Sequence, residues 1–170
     1  VTLSGGEATL QMDFASQLLQ ALKREGIHTA IETSGFFDYA HFKDKLLPWL
    51  DLIYYDIKLI DDEASKQYCG QSNQRILDNF CRLLTDAHIP IIPRIPLIPG
   101  ITTTEENLRG IAAFLDKHGV KSCALMPYNP LWSDKLRKLG LTPRYQHSGF
   151  MTPAEQAACA RHFTKPHSSS

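Results

Sequence analysis

Five short apolar runs of this 170-residue chain each end in side chains able to do chemistry. The first closes on Ser4-Gly5-Gly6-Glu7, the second on Glu32-Thr33-Ser34-Gly35, the third on Asp56-Ile57-Lys58; the fourth carries Arg94 among prolines and the fifth ends in Tyr128-Asn129. Three carboxylates, two cations, a glycine pair and several hydroxyl and amide groups are thereby collected. Glycines after a strand free backbone N–H and C=O groups for a ligand, although Gly5-Gly6 alone equally suits a strand-to-helix turn. Asp56 and Lys58, two residues apart, share a strand face, where they form an ion pair or jointly hold the charged groups of an amino acid. Arg94 can fork onto a carboxylate or remain a solvated side chain, and Asn129 before a proline is by default a turn former.

Other chemistries lack their residues. Cys69, Cys81, Cys123 and Cys159 lie 12, 42 and 36 positions apart, so no local metal or cluster clamp is present, and the expectation is reduced, structural thiols. The seven histidines form no H-x-x-x-H spacing, and no nucleophile elbow, Walker loop or dinucleotide fingerprint occurs. No catalytic residue and no metal ligand is therefore assigned within this chain.

The elements that must position these groups alternate between strand and helix periods. Strand-like runs cover Val1 to Ser4, Ile27 to Thr33, Leu52 to Ile57, part of Ile89 to Gly100, and Ser122 to Met126. The third reads as fully buried, and Pro90, Pro93, Pro96 and Pro99 argue against a central place for the fourth. Helical patterns run from about Met12 to Glu25, Asp38 to Leu47, a start at Asp61 to Glu63, and Asn73 to Ala87. A further helix, reaching about His118, is opened by a Thr103/Glu106 capping box; Ser133 to Leu139 and a segment capped by Thr152-Pro153-Ala154-Glu155 complete the set. Gly26 and Gly119 stand where helices stop.

Strand followed by helix five times predicts an α/β fold with a parallel sheet and right-handed crossovers. Five units fall short of the eight of a closed barrel, so an open, partial parallel β/α barrel is expected over residues 1–165, with a disordered tail at 166–170. The chain reads as a piece of a longer parent, with an exposed strand edge open to self-association. Eighteen basic and eighteen acidic residues give zero net charge, which removes the field that nucleic acid or an anionic membrane would need. No apolar stretch of membrane-spanning length and no signal peptide are visible, which predicts a cytoplasmic protein.

The ordered set Thr2-Leu3-Ser4-Gly5-Gly6-Glu7, Ile27 to Gly35, Tyr55-Asp56-Ile57-Lys58, Arg94 to Gly100 and Met126-Pro127-Tyr128-Asn129 resembles the radical SAM activases of glycyl-radical enzymes, typified by pyruvate formate-lyase activating enzyme. The likeness spans about residues 1 to 145 and implies a TIM-like radical SAM barrel of which these are about five βα units. By the resemblance, Gly5, Gly6 and Glu7 bind the amino group of S-adenosylmethionine, and Ser4 is counted with them among the cofactor-binding residues. Glu32, Thr33, Asp56 and Lys58 surround its carboxylate, directly or through a monovalent cation. Arg94 lies near the cofactor and the incoming glycine loop, and Asn129 stands where a histidine often touches the nucleoside; Glu32 likewise replaces a frequent aspartate. Family members carry C-x-x-x-C-x-x-C ahead of this region, holding a [4Fe–4S] cluster, and that motif is absent here. The resemblance implies an intact parent that takes an electron from a donor such as flavodoxin or ferredoxin. It would cleave S-adenosylmethionine to methionine and a 5′-deoxyadenosyl radical and abstract hydrogen from a glycine of a partner enzyme. This chain alone would be inert. Two other readings compete: an aldolase-like barrel piece using Lys58 as a Schiff-base amine, and a non-catalytic α/β binding module.

Overall fold

The computed structural model describes residues 1–132, 138–141, 145 and 147–163. Its sheet contains β1 (Thr2–Leu3), β2 (Ala30–Thr33), β3 (Leu52–Asp56), β4 (Ile91–Leu97) and β5 (Ala124–Pro127), all parallel and in sequential order. The connecting helices are α1 (Met12–Arg24), α2 (Tyr39–Lys45), α3 (Asp62–Cys69), α4 (Gln74–Asp86) and α5 (Glu105–Lys117), and α6 (Pro153–Ala160) follows β5. Sequential order without a reversal is the topology of a barrel wall and not of a doubly wound sheet. The expected partial β/α barrel is thus the observed architecture. The helical piece expected over Ser133 to Leu139 falls largely outside the described residues, as does the tail at 166–170.

Alternation along the strands decides which side is core. Ile31, Ile53, Tyr55, Ile57, Ile95 and Leu97 are fully buried against Leu19, Phe42, Phe80, Leu83, Leu108 and Ile111 of the helices. Intervening residues Glu32, Tyr54, Asp56, Ile92 and Arg94 are half-buried on the opposite, concave face. The third strand is therefore not buried on both sides as its sequence suggested. Its polar face is the inside of the barrel wall, which five strands leave open.

β4 corrects the expectation drawn from its prolines: it is the longest strand and lies between β3 and β5. A parallel strand turns the N–H groups of successive residues to opposite neighbours. The Arg94 carbonyl accepts from Ile57 at 2.9 Å, so even-numbered residues face β3 and odd-numbered ones face β5. Pro93 faces β5 one residue before their pairing begins at Arg94 and Ala124, and Pro96 faces β3 beyond the last pair, Asp56 and Arg94. Each missing donor therefore falls at the end of a ladder.

Helix ends follow sequence chemistry with one change. Asp38, Asp61 and Thr152 cap α2, α3 and α6, the last through a full capping box with Glu155. α5 is capped by Thr104, not Thr103, because the Thr103 hydroxyl accepts from Gly100 N–H at 3.0 Å in the preceding turn. Cys159 is buried, Cys81 and Cys123 are part-buried, Cys69 is exposed, and none is in a disulfide.

At the opposite end of the strands Asp51 accepts from Thr29 N–H at 2.8 Å and pairs with Lys23. The Lys23 ammonium, followed by the Thr29 amide, holds its carboxyl at about 2, below an ordinary 3.8. A depressed carboxyl stabilises the fold above its unfolded value and loses that contribution as pH falls through the folded one. Asp51→Asn is expected to cost about 1 kcal/mol at pH 7. In urea titrations that deficit should close between pH 3.8 and about 2; a deficit that persists unchanged to pH 2 would show that charge is not its source.

Candidate functional site

The concave face carries a continuous chain of charge across four strand ends. Ser4 Oγ donates to Glu32 at 2.9 Å, and Arg94 Nη1 reaches the other Glu32 oxygen at 2.7 Å. Arg94 Nε meets Asp56 Oδ1 at 2.9 Å, and Lys58 Nζ stands 4.0 Å from Asp56 Oδ2. Register explains the assembly: Asp56 pairs with Arg94 in adjacent strands, and Glu32 with Tyr54, whose ring lies 5.4 Å from the Arg94 guanidinium carbon. Arg94 thus spans two carboxylates with different edges of one planar group, a geometry no lysine reproduces. Its hydrogen bond, ahead of the lesser contribution of Ser4, brings the Glu32 carboxyl below its ordinary value.

The glycine pair forms a second part of the site. Gly5 and Gly6 have φ of 86° and 56°, and a Cβ built on either meets nothing within 4 Å. Two residues in the left-handed region leave the backbone bare and facing open space, as a ligand's close approach requires. Glu7 turns the other way. Its Oε1 accepts from Thr9 Oγ1 at 2.8 Å and Thr33 Oγ1 at 2.9 Å, and its Oε2 from Ser34 N–H at 2.8 Å and Ser34 Oγ at 2.6 Å. Burial raises the Glu7 carboxyl, but these donors together outweigh it and hold it below the ordinary value. Glu7 therefore ties the β1 loop to the end of β2.

A cleft of 160 Å³ opens beside Asp56 and Lys58, with Ser34, Phe36, Cys69 and Gln71 among its walls. Asn129 is not brought into this assembly: it is exposed, and its Oδ1 accepts from Leu131 N–H at 2.9 Å in a local turn. Sequence reasoning passed over three buried asparagines behind the site, Asn73, Asn79 and Asn107. Asn79 Nδ2 donates to the carbonyls of Gly35 and Phe37 at 2.9 Å each, fixing the loop after β2. Isolated polar residues on amphipathic helices, as Asn79 and Asn107 are, give no periodic signal, so only a helix-face projection placing each on the apolar side could have found them.

Comparison with known proteins shows the family to which this fold belongs. The family model described as the radical SAM superfamily matches residues 1–125. The chain belongs to the radical SAM superfamily. Isethionate sulfite-lyase activating enzyme of Nitratidesulfovibrio vulgaris is 41% identical over 138 residues, covering 79% of this chain and 44% of that protein. Pyruvate formate-lyase 2-activating enzyme of Escherichia coli is 36% identical over 145 residues, covering 84% and 48%. The chain thus spans about half the length of these curated relatives. A crystallised domain of pyruvate-formate lyase-activating enzyme from Bacteroides vulgatus superposes with a TM-score of 0.68 at 26% identity, over 96% of this chain and 91% of that one.

Membership implies S-adenosylmethionine and an iron–sulfur cluster, and the two fare differently against this radical SAM chain. An open glycine cradle beside alternating carboxylate and cationic groups fits a zwitterionic amino-acid end. The cluster does not fit: no group of three or more His, Cys, Asp or Glu side chains suited to a metal exists among the described residues. No helix among them is long and apolar enough to cross a membrane.

Proposed function

We propose that this chain is the cofactor-holding portion of a glycyl-radical enzyme activase, working with a pyruvate formate-lyase-like partner in the cytoplasm. The observation that carries the reading is the Ser4–Glu32–Arg94–Asp56–Lys58 chain lying beside the Gly5-Gly6 cradle. S-adenosylmethionine held at this rim would supply hydrogen abstraction from a partner's glycine in an intact parent that provides the electron.

This chain's residues bind and orient. Backbone carbonyls of Gly5 and Gly6 accept from the ligand's amino group, while Glu7 braces their loop against Thr33 and Ser34. Lys58, 40% exposed and only loosely paired with Asp56, is the cation best placed to receive a carboxylate. Arg94, already committed to two carboxylates, fixes the acidic side of the pocket and supplies positive charge where the family resemblance would place a monovalent cation. Lys58 as a Schiff-base nucleophile is less well supported, because such an amine is activated by apolar surroundings or a cationic neighbour and this one faces a carboxylate. The electron donor, flavodoxin-like or ferredoxin-like, would serve the parent; this chain by itself is read as inert, its 170 residues containing no C-x-x-x-C-x-x-C.

Calorimetric titration with S-adenosylmethionine tests the placement. Weak binding is expected, reduced about tenfold by Lys58→Ala through loss of one charge-assisted contact. Equal affinities for the wild-type and variant proteins would overturn it. For the parent, reconstitution with iron and sulfide under reducing conditions should release methionine, and no cleavage would sink the activase assignment.

A further inference from the structure

Between Asp56 and Asp62 the chain leaves the sheet and enters no other element, yet its backbone is held by two side chains. Asn107 of α5 donates to the Lys58 carbonyl at 2.9 Å and accepts from Ile60 N–H at 2.9 Å, and it also donates to the Thr102 carbonyl at 2.9 Å. Asn73, before α4, donates to the carbonyls of Leu59 at 3.1 Å and Ile60 at 2.8 Å. Both asparagines are about 95% buried, being 5% and 4% exposed. One helical turn beyond Asn107, Gly110 lets Ile60 approach so closely that an added Cβ would lie 2.6 Å from Ile60 Cγ2. Asn107 and Gly110 thus form, on one face of α5, a socket for the three residues that begin with Lys58.

We infer that Asn107 and Asn73 are positioning residues: they set the Lys58 backbone so that its ammonium stands at the cleft beside Asp56. Satisfying loop carbonyls would require only some donor, whereas here four backbone groups in three consecutive residues are held from two separate places, α5 and the residue that precedes α4. Such an arrangement fixes the segment's translation and its rotation. A lysine whose side chain is 40% exposed and whose ammonium stands 4.0 Å from its nearest carboxylate has little else to define its place. Its side chain gains precision from the backbone beneath it. This inference rests on the reading of Lys58 as a ligand contact for its functional meaning, but not for its geometry.

Asn107→Asp keeps an oxygen for Ile60 N–H while turning the donor that faced Lys58 and Thr102 into a second acceptor. The primary readout is the side-chain carbon and nitrogen resonances of isotopically labelled Lys58, assigned with Lys58→Arg. In a folded Asn107→Asp protein these should move to the positions of a free surface lysine. Gly110→Ala, which retains both asparagines and displaces Ile60, should move them in the same direction, and it decides the question if Asn107→Asp does not fold. Unchanged Lys58 resonances in the folded variant would overturn the proposal. Titration with S-adenosylmethionine adds a cycle: Asn107→Asp should weaken binding about tenfold when Lys58 is present and less than about twofold in the Lys58→Ala background. Equal losses in both backgrounds would mark Asn107 as merely structural. If the wild-type protein binds no S-adenosylmethionine, the ligand reading fails, while the resonances still decide the clamp.

Discussion

Gly35→Ala is expected to destabilise the fold by about 3–5 kcal/mol, combining overpacking with a left-handed backbone that a side chain resists. At φ 80°, an added Cβ would sit within 2.2 Å of two Tyr55 side-chain atoms. Tyr55 cannot yield. It is fully buried, donates its hydroxyl to the Ile76 carbonyl at 2.6 Å and packs against Phe80 with ring centroids 5.1 Å apart. The damage would reach the site, because Gly35 N–H donates to Thr33 Oγ1, which in turn donates to Glu7. Gly26→Ala provides the control: its φ is 68° but nothing lies within 4 Å of the new Cβ. Urea unfolding of the two variants isolates the steric part. A Gly35→Ala loss no larger than that of Gly26→Ala would mean that the close approach of loop and tyrosine is not real.

The same loop shows why some of this architecture is legible in the residues and some is not. Helix stops at Gly26 and Gly119 and starts at Asp61 and Thr152 are local events, decided within a turn by conformation and capping, and they stand where the sequence places them. Strand ends are nearly as local. Ser4, Glu32, Asp56, Lys58 and Arg94 converge because five parallel strands in sequential order put every carboxyl end on one rim. Asn129 also sits at a strand end, but the proline after it favours a turn that occupies its side-chain oxygen. The partners of Glu7, the bridging of two carboxylates by Arg94 and the asparagine sockets depend on register and on helix-to-loop docking. Apart from Thr9 with Glu7 and Thr102 with Asn107, those contacts join residues from 13 positions apart, Asn73 with Ile60, to the span between Glu32 and Arg94, and no short-range pattern announces them. β4 adds a different lesson. Proline at every third position breaks alternate sides of the ladder, so each neighbour loses a donor only where its own pairing has ended.

Removing the Arg94 guanidinium should cost about 2–4 kcal/mol at neutral pH, since Arg94→Ala strands two part-buried carboxylates that share no other strong cation. Arg94 is 14% exposed and Asp56 19%, so water can relieve part of that penalty, which places the expectation below the range for fully buried pairs. Arg94→Lys should recover only a fraction, because one ammonium cannot meet Glu32 through one nitrogen and Asp56 through another. The sign of the pH dependence follows from Glu32, whose carboxyl lies below its ordinary 4.5 chiefly through Arg94. Its contribution is complete above pH 4.5 and disappears as pH falls through the folded value. The wild-type protein should therefore lose stability on acidification below that point. Arg94→Ala should lose less, or gain, as the Glu32 carboxylate it leaves unpaired becomes neutral. The gap between the two proteins, read from urea midpoints at fixed ionic strength, is then widest near neutrality and narrows in acid. A gap that stays constant from pH 7 to pH 3 would show that Arg94 acts by packing over Tyr54 and not by charge. The concave rim would then need another account of how its acids are kept ionised and ordered before any ligand arrives.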